Sequence, residues 1–371
     1  MLEDKSPQLT PISDYGEFGL IKHLTENFSF ENESTEVSVG DDAAVINPGN
    51  QKVVVTTDVL AEGVHFNLGY VPLKHLGYKA VVVNLSDIAA MNAVPTQILV
   101  SLAISNRFPV EALEEIYAGI ALACKRYKVD LVGGDTTSST SGLVMSITAI
   151  GMEDSENIVK RSGAKPNDLL VVTGDLGGAY LGLQILEREH AVFLANPNMQ
   201  PEMEGYDYIL EKQLKPEART DVKKILDELG VKPTSMIDVS DGLSSEILHL
   251  SDQSKVGFRL YEEKIPLDSL TISTADELNL NPAMCAMNGG EDFELLFTIA
   301  PEDFEKIRNH PDFSIIGHAV EADQGNYLVA RGSNELIALT AQGWDAFLKK
   351  LIKLYFRQML QKRWDESVLL Y

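Results

Sequence analysis

The sequence predicts an α/β or α+β protein built as two successive halves. Apolar residues at helical spacing alternate with short β-branched runs along the whole chain, a pattern typical of mixed folds. The length of 371 residues and the hydrophobic fraction of 44% allow two domains, each with a sizeable core. A polar connector follows Gly151, after which the series of strands and helices starts again.

The first half is expected to hold a sheet and two long helices. Residues 1–13 resemble a loose extension, and Gly16 opens a short helix before an acidic surface loop. Apolar spacing predicts a helix over 73–91, and Pro109 is a favoured start for an amphipathic helix over 110–127. β-Branched and apolar runs predict one strand that ends near 46 and a second, from 53, that ends at 56–58. Further strands are predicted over 98–104, from 129, and over 143–150.

The second half repeats this alternation. A buried-type strand over 169–173 leads into a glycine-rich turn at 174–178 and then a helix. The turn is neither a Walker A nor a dinucleotide loop, but backbone N–H groups in such a turn can bind phosphate. Further helices are expected over 221–229 and 243–250, with strands near 236–238, 295–297, 314–316 and 327–330.

Acidic residues stand where several of these apolar runs begin or end. In Gly40-Asp41-Asp42, two adjacent carboxylates repel each other and have no basic neighbour in sequence. A cation must compensate if the fold holds them close, and oxygen-only ligands suit a hard ion such as Mg²⁺. Gly-Asp-Asp is also common in solvated turns, so the motif alone favours that plainer interpretation. Its recurrence shifts the balance toward a metal.

Two further acids lie in the first half. Asp58 follows Thr56 and Thr57 at the predicted end of a strand, where hydroxyls and a carboxylate can meet a metal or a phosphate. Asp87 interrupts the apolar helix, and a buried Asp needs a partner or a metal. A surface-facing polar stripe explains Asp87 about equally well. Asp135 follows a glycine pair that allows close approach of the backbone to a ligand.

The second half adds Asp238, Ser240 and Asp241 at a strand-to-helix turn. Capping of the helix N-terminus explains one of these three residues, but not all of them. In a later segment, Gly289-Gly290-Glu291-Asp292, glycines and acids again precede an apolar strand.

The composition excludes several classes of function. A formal charge of -24 argues against nucleic acid or an anionic membrane as the main partner, but not against a phosphorylated ligand bridged by metal ions. Cys124 and Cys285 are far apart, which favours packed thiols in a reducing compartment. No apolar run is long enough to span a bilayer, and the N-terminus lacks a signal-peptide core. We expect a cytoplasmic protein.

Taken together, the motifs resemble those of the thiamine-monophosphate kinase family. That family belongs to the superfamily of aminoimidazole ribonucleotide synthetase, selenophosphate synthetase and the hydrogenase-maturation dehydratase. The resemblance covers roughly residues 16–347. The motifs that carry it are Gly40-Asp41-Asp42, Thr56-Thr57-Asp58, Gly63-Val64-His65-Phe66, residues 84–91, Gly133-Gly134-Asp135-Thr136-Thr137, Arg161-Ser162-Gly163-Ala164, Asp238-Val239-Ser240-Asp241-Gly242 and residues 289–295.

The resemblance implies a two-domain aminoimidazole-ribonucleotide-synthetase-like fold and a reaction of ATP with thiamine monophosphate. It implies an extension at 1–15, an ATP- and Mg²⁺-binding domain at 16–155 that dimerises through its sheet, and an α/β domain at 156–347. The basic, amphipathic tail at 348–371 departs from the family. A membrane-surface helix is one interpretation of this tail, but packing on the acidic body or a partner subunit is favoured.

The resemblance also assigns site residues. Several Mg²⁺ ions are implied at Asp42, Thr56, Thr57, Asp58, Asp87, Asp135, Asp238 and Asp241. ATP contacts are implied for Gly134, Asp135, Arg161 and Ser240. Thiamine monophosphate contacts are implied for His65, Glu291 and Trp344, where an aromatic ring would attract the thiazolium cation.

Two rival functions stay open at this point. One is another ATP-using member of the superfamily, although residues 63–66 and 289–295 favour the kinase, and no cysteine precedes Cys124 as a selenophosphate synthetase would require. The other is a non-catalytic nucleotide- or cation-binding module. In the kinase, the acceptor phosphate supplies the nucleophile, so no dedicated base is expected and His65 is predicted to position substrate.

Overall fold

Two β-sheets, one in each half of the chain, organise the fold. The computed structural model describes residues 9–11, 14–29, 31–37 and 44–341. The first half comprises α1 (Gly16–Thr25), β1 (Thr35–Val37), β2 (Val45–Ile46), β3 (Lys52–Ala61), α2 (Leu73–Ala90), β4 (Val94–Ile104), α3 (Val110–Tyr127), β5 (Asp130–Ser138) and β6 (Val144–Glu153). Four of these strands form a sheet in the order β3-β6-β4-β5, with β4 and β5 parallel and the other neighbours antiparallel. β1 and β2 form a separate antiparallel pair.

The second half is built on a seven-stranded sheet in the order β13-β12-β9-β11-β7-β10-β8, mostly antiparallel. Its strands are β7 (Leu169–Thr173), β8 (Ser235–Asp238), β9 (Gly257–Tyr261), β10 (Leu295–Ile299), β11 (Phe313–Val320), β12 (Asn326–Val329) and β13 (Leu336–Ala338). Its helices are α4 (Gly178–Ala195), α5 (Asp207–Leu214), α6 (Asp221–Leu229), α7 (Leu243–Ser254), α8 (Ser269–Glu277), α9 (Pro282–Asn288) and α10 (Phe304–Ile307).

Within the part of the chain that the structure describes, helices cover one face of the first sheet and leave its other face open. Successive side chains of a strand point to opposite faces, so Thr56 and Asp58 of β3 point toward α2. Val53, Val55 and Val59 point the other way and are 46%, 60% and 51% exposed. We call this second side the open face. An apolar, exposed sheet face of this kind is typical of an interaction surface.

α2 and α3 approach closely because each carries a glycine at the crossing point. A Cβ built on Gly77 would lie 2.0 Å from the carbonyl oxygen of Ile116. A Cβ built on Gly119 would lie 1.9 Å from the carbonyl oxygen of Lys74. A larger residue at either position would force the two backbones apart. The contact therefore fixes the position of α2.

α2 is buried on nearly all sides because it lies between the two halves. Leu85 packs into the core of the first sheet, whereas Ala90 packs in a cluster that includes Phe297 of the second sheet. Lys79, Ser86 and Ala90 lie along one face of the helix at helical spacing. Polar residues on this face therefore contact the second half of the chain.

Most predicted elements are confirmed. The helices predicted over 73–91, 110–127 and 221–229 correspond to α2, α3 and α6. The elements that were not predicted are β1, β9, β13, α5, α8, α9 and α10. The basic C-terminal stretch lies outside the described residues. Among the helices that the structure describes, none combines the length and the apolar character needed to cross a membrane.

Two expectations about strand ends are wrong. Thr56, Thr57 and Asp58 lie inside β3, which continues to Ala61, because the whole of β3 pairs with β6 residue by residue. Asp135 likewise lies inside β5 instead of beyond its end. These residues therefore follow the alternation of a strand, and neighbours in sequence point to different faces.

Candidate active site

The covered face of β3 meets α2 at two carboxylates. Thr56 Oγ1 donates a hydrogen bond to Asp87 Oδ2 over 2.6 Å, and the Asp58 backbone N–H donates to Asn84 Oδ1 over 2.9 Å. Burial raises the pKa of Asp58 to about 6, with smaller contributions from the charges of Asp87 and Asp241. Burial also raises the pKa of Asp87, against the hydrogen bond from Thr56. This corner of the molecule favours a cation, because each carboxylate is partly desolvated and faces other acids.

The second sheet contributes Asp238 from the end of β8. Asp238 is buried, and its Oδ2 accepts a hydrogen bond from Ser86 Oγ over 2.7 Å. Burial, followed by the charge of Asp87, raises the pKa of Asp238 to about 7, while Arg161 acts in the opposite direction. Ser86 and Asp87 are neighbours on α2. The two halves of the chain therefore meet at a pair of acids.

The turn between β8 and α7 carries Asp241, and the first turn of α7 carries a buried glutamate, Glu246. The Asp241 backbone N–H donates to Glu246 Oε1 over 3.0 Å. Burial raises the pKa of Glu246 to about 8, and the charges of Asp238 and Asp241 act in the same direction. Burial also raises the pKa of Asp241. The sequence analysis missed Glu246, because an acid in the first turn of a helix is ordinarily an exposed partner of the helix dipole.

A cleft of about 430 Å³ opens beside these acids. Its lining includes Thr56, Asp87 and Asp238 together with the bases Lys160 and Arg161. Arginine binds phosphate oxygens directly, whereas carboxylates meet phosphates through a metal ion. The cleft can therefore accept a polyphosphate with its metal.

Glu291 of the second half pairs with Lys79 of the first half. The sequence analysis did not identify Lys79. Lys79 Nζ lies 3.0 Å from Glu291 Oε1, and Gln213 Nε2 donates to Glu291 Oε2 over 2.8 Å. The Glu291 backbone N–H donates to the Ser240 carbonyl over 2.7 Å. Burial lowers the pKa of His65, the charge of Glu291 opposes this shift, and Lys79 adds to it. Two of the predicted substrate residues, His65 and Glu291, are therefore close enough to interact.

Two predicted residues point away from this cleft. Thr57 lies on the open face of the first sheet, where its Oγ1 donates to the Ile147 carbonyl over 3.0 Å. Asp135 pairs with Ser101 of β4 and falls in the same cross-strand row as Val59, also on the open face. A single copy of the chain does not bring Thr57 and Asp135 together with the buried acids.

For one further predicted residue, Gly134, the structure shows why the position requires glycine. A Cβ on Gly134 would lie 1.8 Å from the Val100 carbonyl oxygen, so only glycine fits where β5 passes β4. Asp42 and Trp344 lie outside the residues that the structure describes.

The donor chemistry of the cleft fits Mg²⁺. No group of three Asp, Glu, His or Cys residues within the described part of the chain forms a ready-made metal site. Mg²⁺ does not need one, because it usually binds through one or two carboxylates, substrate phosphates and several waters. Asp87 and Asp238 supply such oxygen ligands. Burial raises the pKa of each carboxyl, and the charge of Asp87 adds to the shift at Asp238, a condition that a divalent cation relieves.

The glycine-rich turn at 174–178 is already occupied by a side chain. Asp292 Oδ2 accepts a hydrogen bond from the Gly177 N–H over 2.7 Å, and its Oδ1 accepts one from the Ala179 N–H over 3.3 Å. A carboxylate of the protein thus takes the place that a phosphate would occupy at the N-terminus of α4. The expectation that this turn binds phosphate is not supported.

Comparisons with known proteins identify the family of the chain. The AIR synthase related protein N-terminal domain matches residues 40–152, and the corresponding C-terminal domain matches residues 165–329. The thiamine-monophosphate kinase of Bacillus subtilis (strain 168) is 34% identical over 338 residues, covering 89% of this chain and 99% of that protein. The chain belongs to the thiamine-monophosphate kinase family.

Solved structures of thiamine-monophosphate kinases show the same fold. The structure of AaThiL complexed with AMPPCP and TMP has a TM-score of 0.69 and 30% identity, and it covers 92% of this chain and 100% of that chain. The enzyme from Stenotrophomonas maltophilia K279a has a TM-score of 0.71 and 26% identity, with 85% and 95% covered. The predicted fold class, two AIR synthase related domains with mixed helices and strands, is confirmed.

Proposed function

We propose that this chain transfers the terminal phosphoryl group of ATP to thiamine monophosphate, giving thiamine diphosphate and ADP. The main structural support is the meeting of Asp87 from the first half and Asp238 from the second at a cleft that also holds Arg161. The chain is 30% identical to AaThiL, which was solved with AMPPCP and TMP. The activity belongs to thiamine diphosphate biosynthesis.

The acceptor supplies its own nucleophile. The second pKa of a phosphate monoester is about 6, so an ionised oxygen is available at neutral pH. This oxygen forms the new bond to the terminal phosphorus of ATP, while the bond to the bridging oxygen breaks and ADP leaves with that electron pair. No side chain needs to remove a proton. The lowered pKa of His65, caused mainly by burial, keeps this residue neutral and suits it to orient the acceptor.

Charge neutralisation is the main task of the protein, because two anions must meet in a chain of formal charge -24. Mg²⁺, when bound, neutralises charge on the phosphoryl group in transfer. We infer that the ions are held by Asp42, Thr56, Thr57, Asp58, Asp87, Asp135, Asp238 and Asp241. The proposed ATP contacts are Gly134, Asp135, Arg161 and Ser240. The proposed contacts to thiamine monophosphate are His65, Glu291 and Trp344.

A second copy of the chain would complete this set. Thr57 and Asp135 lie on the open face, away from the cleft of their own chain. The exposed apolar residues Val53, Val55 and Val59 support a homodimer that covers this face. In such a dimer, Thr57 and Asp135 would bind metal at the subunit boundary, and Asp135 would also contact ATP there.

We place the reaction in the cytoplasm. Cys124 and Cys285 are both buried free thiols, which suits a reducing compartment. Burial raises the pKa of Cys285 to about 11, so this thiol is unreactive and has no proposed role in catalysis.

The test is identification of the products. The purified chain is incubated with ATP, MgCl₂ and thiamine monophosphate, and ADP and thiamine diphosphate are separated by chromatography. We expect equal amounts of the two products, and neither product when EDTA replaces the metal. Binding of ATP without transfer to thiamine monophosphate would contradict the proposal and favour a non-catalytic binding module.

A further inference from the structure

Lys79 is a buried base that the reaction described above does not use. Its side chain is 9% exposed, and its ammonium group lies 3.0 Å from Glu291 Oε1. The same group donates to the Gln213 backbone carbonyl over 2.9 Å. A buried ammonium needs partners of this kind, because loss of its hydration is strongly unfavourable. The position of Lys79 is therefore tied to the second half of the chain at two points.

The partner of Lys79 is held in an unusual backbone conformation. Glu291 has a φ of +61°, in the left-handed region that residues with a side chain rarely adopt. Two hydrogen bonds hold the segment: the Glu291 N–H donates to the Ser240 carbonyl over 2.7 Å, and the Phe293 N–H donates to the Val239 carbonyl over 2.9 Å. The backbone thus presents Glu291 in one fixed direction.

The side chain of Glu291 is fixed as well. Lys79 contacts Oε1, and Gln213 Nε2 donates to Oε2 over 2.8 Å. The Glu291 side chain is 35% exposed, about four times the exposed fraction of Lys79. A ligand can therefore reach the carboxylate of Glu291, whereas Lys79 stays behind it.

α2 connects this pair to the buried acids. Lys79 precedes Asp87 by about two helical turns, which places them about 12 Å apart along the axis. A rigid helix between these residues sets the distance between the Lys79–Glu291 pair and Asp87. The contacts of α2 with α3 prevent that helix from shifting.

We propose that Lys79 is a positioning residue for the acceptor substrate. Lys79 holds the Glu291 carboxylate so that the free lone pairs of Glu291 face the cationic thiamine part of thiamine monophosphate. Lys79 itself does not contact the substrate. The inference rests on the proposed function, in which Glu291 contacts that substrate. Groups that hold a ligand-binding side chain in place commonly change affinity by 10-fold to about 100-fold when removed.

The experiment compares steady-state kinetics of the whole chain and its Lys79→Met variant. We expect the variant to raise KM for thiamine monophosphate about 10-fold or more, with KM for ATP changed less than about 2-fold. Lys74→Met is the matched control, because Lys74 is an exposed lysine on the same helix. This control is expected to behave as the wild type.

A double-mutant cycle shows whether Lys79 acts through Glu291. If it does, Lys79→Met combined with Glu291→Gln has the same KM for thiamine monophosphate as Glu291→Gln alone. Additive effects, or an unchanged KM in Lys79→Met, would overturn the inference. Should Lys79→Met fail to fold, Lys79→Gln keeps a donor for the Gln213 carbonyl, and the same rise in KM is expected. A wild-type chain without turnover would instead overturn the proposed function, and the inference with it.

Discussion

At the scale of single residues, Asp292 places a carboxylate at the N-terminus of a helix, a position where many folds bind phosphate. It is 3% exposed and accepts hydrogen bonds from Gly177 and Ala179 at the start of α4. Burial raises the pKa of Asp292 to about 7, although these hydrogen bonds and the charge of Lys212 act in the opposite direction. Desolvation therefore outweighs the favourable contacts of the ionised form.

This raised pKa predicts a pH dependence of stability. The folded pKa lies above the ordinary value of 3.8, so the protonated form of Asp292 stabilises the fold. Its contribution to the free energy of unfolding is fully present below about pH 4. It is lost as the pH rises toward 7, with a slope of about 1.4 kcal/mol per pH unit between the unfolded and folded pKa values. Asp292→Asn removes the titrating group, so the free energy of unfolding should vary less with pH than in the wild type.

Urea unfolding of both proteins between pH 4 and pH 8 measures this difference. The other buried acids titrate in both proteins, so the difference between the two curves isolates Asp292. Parallel curves across this range would show that Asp292 does not titrate as its burial implies.

Single charged residues were also where sequence reasoning failed. Asp87 and Asp238 could be named as candidates because an acid inside or beside an apolar run is visible in sequence, and the structure places both at one cleft. Lys79 and Glu246 were missed, since nothing local distinguishes a buried base or acid from an exposed one. Their burial depends on the packing of α2 and α7 against the rest of the chain, which sequence periodicity does not show.

At the scale of elements, the position of α2 decides the geometry of the cleft. α2 carries Ser86 and Asp87 toward Asp238, and it carries Lys79 toward Glu291. Its close crossing with α3 depends on glycines, so the polar contacts require a specific distance between two helices.

Gly119→Ala tests this requirement. Alanine favours a helix over glycine by about 1 kcal/mol, but its Cβ would lie 1.9 Å from the Lys74 carbonyl oxygen. Clash with a backbone atom should dominate, giving a net destabilisation of about 1–3 kcal/mol in urea unfolding. Gly19→Ala in α1 is the control, since its Cβ would meet its nearest neighbour at 3.8 Å, and it should be neutral or stabilising. A stabilised Gly119→Ala would show that the helices are not in tight contact.

For the long periodic helices, and for the strand pattern around Asp58, the presence of the element was easier to predict than its end. α2, α3 and α6 followed from periodicity within about a residue. β3 was predicted to end near Asp58, yet pairing with β6 extends it to Ala61. That error changed the expected site, because a strand interior separates Thr57 from Thr56 and Asp58, whereas a strand end would not.

At the scale of the whole molecule, the open face of the first sheet predicts a homodimer. Val55→Lys places a charge in the middle of that apolar surface, where Val55 is 60% exposed. Light scattering should show twice the chain mass of 40.8 kDa for the wild type and a shift toward the monomer for the variant. Leu194→Lys, at an exposed leucine on α4, should remain dimeric. A wild type that is monomeric at concentrations where it is active would contradict the dimer.

The division into two halves was the most predictable feature of the molecule, because alternation of helix and strand restarts after a polar connector. The meeting of the halves was not predictable from patterns in either one. Asp87 and Asp238 are 151 residues apart in sequence and share no local signal. Their proximity is a consequence of how α2 packs between two sheets.

The most direct measurement is the initial rate of thiamine diphosphate formation against Mg²⁺ concentration, for the wild type and for Asp238→Asn. Asp252→Asn, at an exposed acid on α7, serves as the control. The wild type and the control should saturate with Mg²⁺, whereas Asp238→Asn should be slower by about 100-fold and need more Mg²⁺. An Asp238→Asn variant with an undiminished rate and the same Mg²⁺ dependence would contradict a shared metal site between the two halves.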